Sequence, residues 1–197
     1  MTPMSGTLAR IYALNHRNAL EAVADLNDDQ LHWRPPRTNS IAFNLWHIAR
    51  WADHLQSILS TMTPALRERI GATPELWTRG GLVAKWGFPA NDLGNLQTGM
   101  GMDEDVSAKL ALPPTRELMT YVNLAFAAGD HAVRKVQDAD LTTSAELDPA
   151  AVPWLKSPSD YGTVGSWITT SIRHEARHLG MIEAVKGAAG LRGTATV

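Results

Sequence analysis

The sequence predicts an all-α protein built on a four-helix bundle, with a long irregular connection between the second and third helices. Three observations carry this expectation. Four long segments repeat apolar residues at helical spacing. Capping residues precede these segments, and Gly or Pro follows them. No alternating apolar–polar stretch is long enough for a useful strand, and no internal repeat is present.

The first segment runs from about Ser5 to Leu26, with Ser5 as N-cap and Leu8, Ile11, Tyr12, Leu14 and Ala19 on the helical period. Asn27-Asp28-Asp29 reads as a stop, and Arg34-Pro35-Pro36-Arg37 as a loop that cannot stay helical. The second segment runs from Asn39-Ser40 to about Met62, with an apolar stripe of Phe43, Trp51, Leu55 and Ile58. His47 and His54 share that face. Thr63-Pro64 ends the helix or restarts a short one through Leu66 and Ile70.

Residues 71–114 are dense in Gly and Pro. They read as a mostly irregular connection with one or two short helices, covering one end of the domain. The third segment starts at Thr115, with Glu117 in its first turn, and reaches about Gln137. Residues 138–162 form a second loop. The fourth segment starts near Thr163 and stops at Gly187. A chain of 197 residues arranged this way is expected to be a single domain over residues 1–197.

Composition narrows the function. The net charge of -2 and the absence of a long basic run give no electrostatic reason to expect nucleic acid or an anionic membrane as partner. No stretch approaches the ~20 apolar residues of a membrane span. The N-terminus, MTPMSGTLAR, lacks the order of a signal peptide, so a cytoplasmic protein is the expectation. With no cysteine, disulfides, thiolate metal sites and a cysteine nucleophile are excluded. The seven tryptophans suit a core or the wall of a ligand pocket equally well.

The sharpest local signal is His174-Glu-Ala-Arg-His178. A spacing of i, i+4 places both imidazoles on one helix face, one turn apart. Trp167, Thr170, Ser171, Met181 and Val185 share that face, so the pair points inward. Imidazole suits Zn, Ni, Cu or Fe, and helical bundles build such sites from facing helices. Two ligands do not make a site, and spacing leaves both His47 and His54 open as the third. The same five residues also match the HExxH metalloprotease motif, in which Glu175 would act as general base.

Four stretches resemble the DinB/YfiT-like proteins, which are metal-binding four-helix bundles. Leu26 to Pro35 (LNDDQLHWRP) is similar to that family's first interhelical loop. Asn39 to His54 (NSIAFNLWHIARWADH) resembles its second helix, and Lys85 to Met102 (KWGFPANDLGNLQTGMGM) its Gly-rich connection. Gly162 to Thr194 (GTVGSWITTSIRHEARHLGMIEAVKGAAGLRGT) resembles its last helix and tail. Carried over by position, the resemblance implies one divalent ion, zinc, nickel or iron, on His47, His174 and His178. It selects His47 over His54. It also implies that Glu175, about 100° round the helix from His174, faces away from the metal and is structural.

The resemblance further implies a low-molecular-weight-thiol S-transferase, using a thiol such as bacillithiol or mycothiol, or a hydrolase. It also implies a homodimer. The related mycothiol-dependent maleylpyruvate isomerases carry Glu where this chain has His174, which counts against that reaction. Three imidazoles leave a coordination position open, as a catalytic site requires. A water or a thiol there would lose its proton more easily.

Candidate hydrogen-bond partners for the ligands are Ser171, Thr170, Asn44 and Asp130. Trp51, Trp167, Ser171 and Asn44 are the candidate pocket residues. His54 is a secondary candidate, as a pocket acid/base or as a satisfied core group. His16, His32 and His131 are expected to have no part in metal binding. Trp154, Lys156 and Tyr161 lie in the loop before the last helix and are expected to be solvated. The competing functional expectation is a non-catalytic metal- or ligand-binding, stress-related module.

Overall fold

A computed structural model of the chain describes residues 3–155 and 162–194. Its first helix, α1, spans Met4–Val23. The expected cap, Ser5, is instead buried inside the helix. A carboxylate distant in sequence does the capping, because Asp138 accepts hydrogen bonds from the Ser5 backbone N–H (2.7 Å) and that of Met4 (3.2 Å). Asn27, read as part of a stop, also opens the short helix α2, Asp28–His32. There Asn27 and Gln30 cap each other's backbone N–H groups.

Helix α3 spans Ile41–Met62, and Ser40 caps it by accepting from the Phe43 N–H. It is buried on nearly every side, as expected of a helix at the centre of a core. Thr63 and Pro64 restart the chain as α4, Pro64–Ile70, with the Thr63 hydroxyl on the Leu66 N–H.

The connection from residue 71 to 114 holds three short helices: α5 (Leu76–Arg79), α6 (Leu82–Lys85) and α7 (Glu104–Lys109). It lies along the flank of α3 rather than closing one end. Its Trp77 and Phe88 are buried against Trp46 of α3, each with ring centroids 5.9 Å away. The Thr73 hydroxyl donates to the Gln56 carbonyl, nearly three turns beyond Trp46 along α3. Aromatic packing thus makes this segment a third wall of the core.

Helix α8 spans Thr115–Arg134, ending three residues short of the expected Gln137. Helix α9 spans Val164–Ala188, capped by Thr163. It runs through Gly187 and stops where Gly190 takes the left-handed conformation (φ +72°). This lets the Leu191 N–H reach back to the Lys186 carbonyl at 2.9 Å. Among the described residues there is no strand, only isolated bridges.

Four long helices therefore pack together, as the periodicity predicts. Helix α3 lies against α8 and α9, and α1 lies against the same two, so α1 and α3 stand diagonally opposite. Between α1, α8 and α9 the core is charged. His16 is buried, and its ring stacks on Phe126 with centroids 4.0 Å apart. It meets Asp130 at 2.7 Å and Glu175 at 3.3 Å. Burial works against its cation, but the Glu175 and Asp130 carboxylates outweigh burial and raise its pKa to about 9.

This cluster sets a pH dependence. The folded pKa of His16 lies above the unfolded value of about 6.5. Its stabilisation is therefore complete below pH 6.5 and is lost as pH rises through about 9. Thermal melts in the presence of chelator should show stability falling across that window. The double variant His16→Gln, Glu175→Gln should flatten the slope, and an unchanged slope would refute this assignment.

Candidate metal centre

Helices α3 and α9 bring His47, His174 and His178 to one point. One ligand-type nitrogen from each lies within 4.8 Å of the others. The Nε2 atoms of His47 and His174 are 3.0 Å apart. His178 faces both rings, at centroid distances of 4.4 Å to His47 and 4.6 Å to His174.

Hydrogen bonds settle which nitrogens are available on two of the rings. The Nδ1–H of His47 donates to the Thr98 backbone carbonyl. The Nδ1–H of His178 donates to Asn44 Oδ1 at 2.9 Å. Asn44 is itself oriented by its amide N–H, which donates to the Ser40 carbonyl at 2.9 Å. Both acceptors are oxygens without a proton to give, so Nδ1 carries the proton and Nε2 keeps its lone pair. His174 Nδ1 is buried with no protein partner.

The three rings are neutral at neutral pH. Burial pushes His47 well below the usual imidazole range, and the neighbouring His178 and His174 push it further. Burial, then His178, Arg177 and Arg173, lowers His174 to about 3. Burial and Arg177 lower His178 to about 4. A metal requires unprotonated imidazole, so this donor set fits a divalent ion.

The Thr98 carbonyl is held in place by a buried cation. Arg50, one turn after His47 on α3, is fully buried. Its Nε donates to the Gln97 carbonyl and its Nη2 to the Leu96 carbonyl, both at 3.0 Å. Leu96 and Gln97 are non-glycine residues with φ of 50° and 55°. Such a conformation costs of order 1–3 kcal/mol per residue and persists only where its surroundings enforce it. Gly99 (φ +88°) completes the turn. A Cβ there would lie 3.0 Å from both His47 Nδ1 and the Trp46 ring.

Arg50 also meets Glu75 at 3.0 Å and Asp53 at 3.3 Å. Asp53 in turn accepts from the backbone N–H groups of Leu76 and Trp77. The guanidinium is thus paired, as a charge at this depth must be.

Beside His174 is a pocket of about 170 Å³, lined by Trp51, Trp167, Ser171 and Thr170 among others. Asn44, a candidate both for the pocket wall and as hydrogen-bond partner of a ligand, takes the second role, behind His178. Ser171 and Asp130 were expected to orient ligands and do not. The Ser171 hydroxyl donates to the Trp167 carbonyl one turn back on α9, and Asp130 is engaged by His16.

His54 is no member of the trio. Its Nδ1–H donates to Glu75 Oε1 at 2.8 Å, while its buried Nε2 has no partner. Glu175 is buried against His16, where it cannot serve as a base beside the trio. His32 bonds backbone carbonyls of Asp28 and Pro113, and His131 is exposed. Trp154 is not simply solvated. It packs edge-on to Trp51 at 5.1 Å and joins the pocket wall. Lys156 and Tyr161 lie outside the described residues.

Sequence reasoning missed Thr98, Arg50 and Glu75. Arg50 had a signal, a charged residue between two histidines on the most apolar helix. A backbone carbonyl has none.

Fold and site together define an all-α protein in which helices α3 and α9 present a cluster of three imidazoles that could hold a metal ion. The chain belongs to the DinB superfamily, whose family model matches residues 12–182. No curated protein matches it. Among solved structures it is similar to the crystal structure of a conserved protein from Enterococcus faecalis. The TM-score is 0.67 at 16% identity, over 94% of this chain and 96% of that one. At that identity the likeness is one of fold.

Removing an outer partner of a ligating imidazole typically weakens metal binding about 10–100-fold. Asn44→Ala should do so in a zinc-competition titration while helical circular dichroism is retained. Unchanged affinity would mean that the Asn44–His178 bond does not orient a ligand.

Proposed function

We propose that this DinB-superfamily chain is a metal-dependent enzyme acting on a small molecule, either a low-molecular-weight-thiol S-transferase or a hydrolase. His47, His174 and His178 would hold one divalent ion, zinc, nickel or iron. The observation that carries the reading is the convergence of three neutral imidazoles beside an aromatic-walled pocket.

When bound, the ion would supply Lewis acidity to a water or to a thiol such as bacillithiol or mycothiol. The chain's own residues supply the rest. Thr98 and Asn44 keep the Nε2 lone pairs of His47 and His178 free of protons. Trp51 packs edge-on to both His47 (6.3 Å) and His174 (5.4 Å) and excludes water from that side. His54, held by Glu75, presents an acceptor nitrogen at the pocket wall that can take a proton from substrate.

We further read the chain as one cytoplasmic domain over residues 1–197 that forms a homodimer. No helix among the described residues is long and apolar enough to cross a membrane. Exposed Ile11 and Leu14 on α1 and Met181 on the adjoining α9 leave apolar surface available for pairing.

Elemental analysis after metal-free purification and reconstitution should give one ion per chain. His174→Ala should bring this near zero with the helices intact. The loaded protein should then turn over a thiol-transfer, ester or amide substrate. Near-zero metal in the unaltered chain would remove the enzyme reading. Full metal content without turnover on any of the three substrate types would leave a binding module.

A further inference from the structure

We propose that the pocket beside His174 binds a small organic anion: an acid group on an apolar body about the size of one aromatic ring, with a hydrogen-bond donor at the far end. This deepens the functional reading above and rests on it for the pocket's role as substrate site. The contacts it invokes do not involve the metal.

The walls set the size and character of the ligand. Trp51, Trp154, Trp167, Leu55, Ile58 and Met100 give an apolar enclosure. Its volume is about 170 Å³. An apolar cavity of roughly 150 Å³ holds benzene, so one ring with small substituents fits.

The polar groups set the two ends. On the α9 side, Arg173 and Arg177 line the pocket one turn apart. Neither has a carboxylate partner among the described residues. Glu75, the nearby acid, is already shared by Arg50 and His54. Among the described residues the pocket rim therefore carries positive charge without a balancing acid, and a ligand carboxylate would pair with it.

On the α3 side, His54 is 3% exposed. With its Nδ1–H on Glu75, its Nε2 is a bare acceptor at the pocket wall without a partner. Buried acceptors are normally satisfied, and a ligand O–H fills this one. The ligand thus lies across the gap between α9 and α3, its acid on the arginines and its donor on His54.

Isothermal titration of the full chain, once with chelator and once zinc-loaded, tests this with three probes. These are 4-hydroxybenzoate, benzoate and the neutral 4-hydroxybenzyl alcohol. With chelator present, 4-hydroxybenzoate should bind one per chain. It should bind at least about tenfold more tightly than the alcohol, and ~2–10-fold more tightly than benzoate, the worth of one neutral hydrogen bond. The pair Arg173→Gln, Arg177→Gln should abolish the preference for acid over alcohol. His54→Gln should abolish the preference for the hydroxylated acid while leaving benzoate affinity unchanged, which shows that the pocket is intact.

Equal affinity for acid and alcohol, absence of binding by 4-hydroxybenzoate, or insensitivity to the arginine pair would overturn the proposal. Zinc binding without acid binding sinks this inference alone. Acid binding under chelator without zinc binding sinks the metal reading alone.

Discussion

The guanidinium of Arg50 has no access to solvent, so its hydrogen bonds must all be found inside the protein. It finds them on Asp53 of α3, on the Tyr121 hydroxyl of α8 and on the long connection, and in doing so fixes the connection's path. Two left-handed residues, Leu96 and Gln97, turn the chain so that their carbonyls face Arg50 and the next one, Thr98, faces His47. The Gly99 turn brings backbone so close to that ring that a Cβ would sit only 3.0 Å from its Nδ1. The protonation of His47 therefore depends on a residue one turn away that never touches it. Losing one partner of a buried charged network typically costs several kcal/mol, because the other charge is stranded.

Helix α9 carries two electrostatic environments on adjacent residues. His174 faces α3 among neutral rings and two arginines, and its pKa falls. Glu175, about 100° round the helix, is buried beside His16, whose pKa rises. One helix thus keeps imidazoles unprotonated on one face and an imidazolium–carboxylate pair on the other. Helical geometry separates the two, and it answers the HExxH reading. The motif's glutamate belongs to the charged core layer.

The long helices were legible because burial imposes a period on them. Phe43, Leu55 and Ile58 mark α3, and Thr163 marks the start of α9. The i, i+4 pair was legible for the same reason. The third histidine was not, since spacing treats His47 and His54 alike. Only a resemblance in sequence favoured His47, and in the structure Glu75 occupies His54 instead. Tertiary substitutions for local rules stayed hidden. Asp138 caps α1 from 133 residues away, and a main-chain carbonyl orients His47. The connection's packing was also missed, because Gly and Pro suggest irregularity while Trp77 and Phe88 supply core. Asn44 was legible as a partner for a ligating imidazole, a role its buried amide fills at His178.

His47, His174 and His178 are placed so that they could share one ion across the α3–α9 gap. X-ray absorption at the zinc edge of the reconstituted full chain tests this most directly. Three imidazole nitrogens are expected at about 2.0–2.1 Å from the metal, with the remaining position filled by a non-imidazole donor such as a water oxygen. A first shell made mainly of carboxylate or water oxygens, or one with a single imidazole, would contradict it.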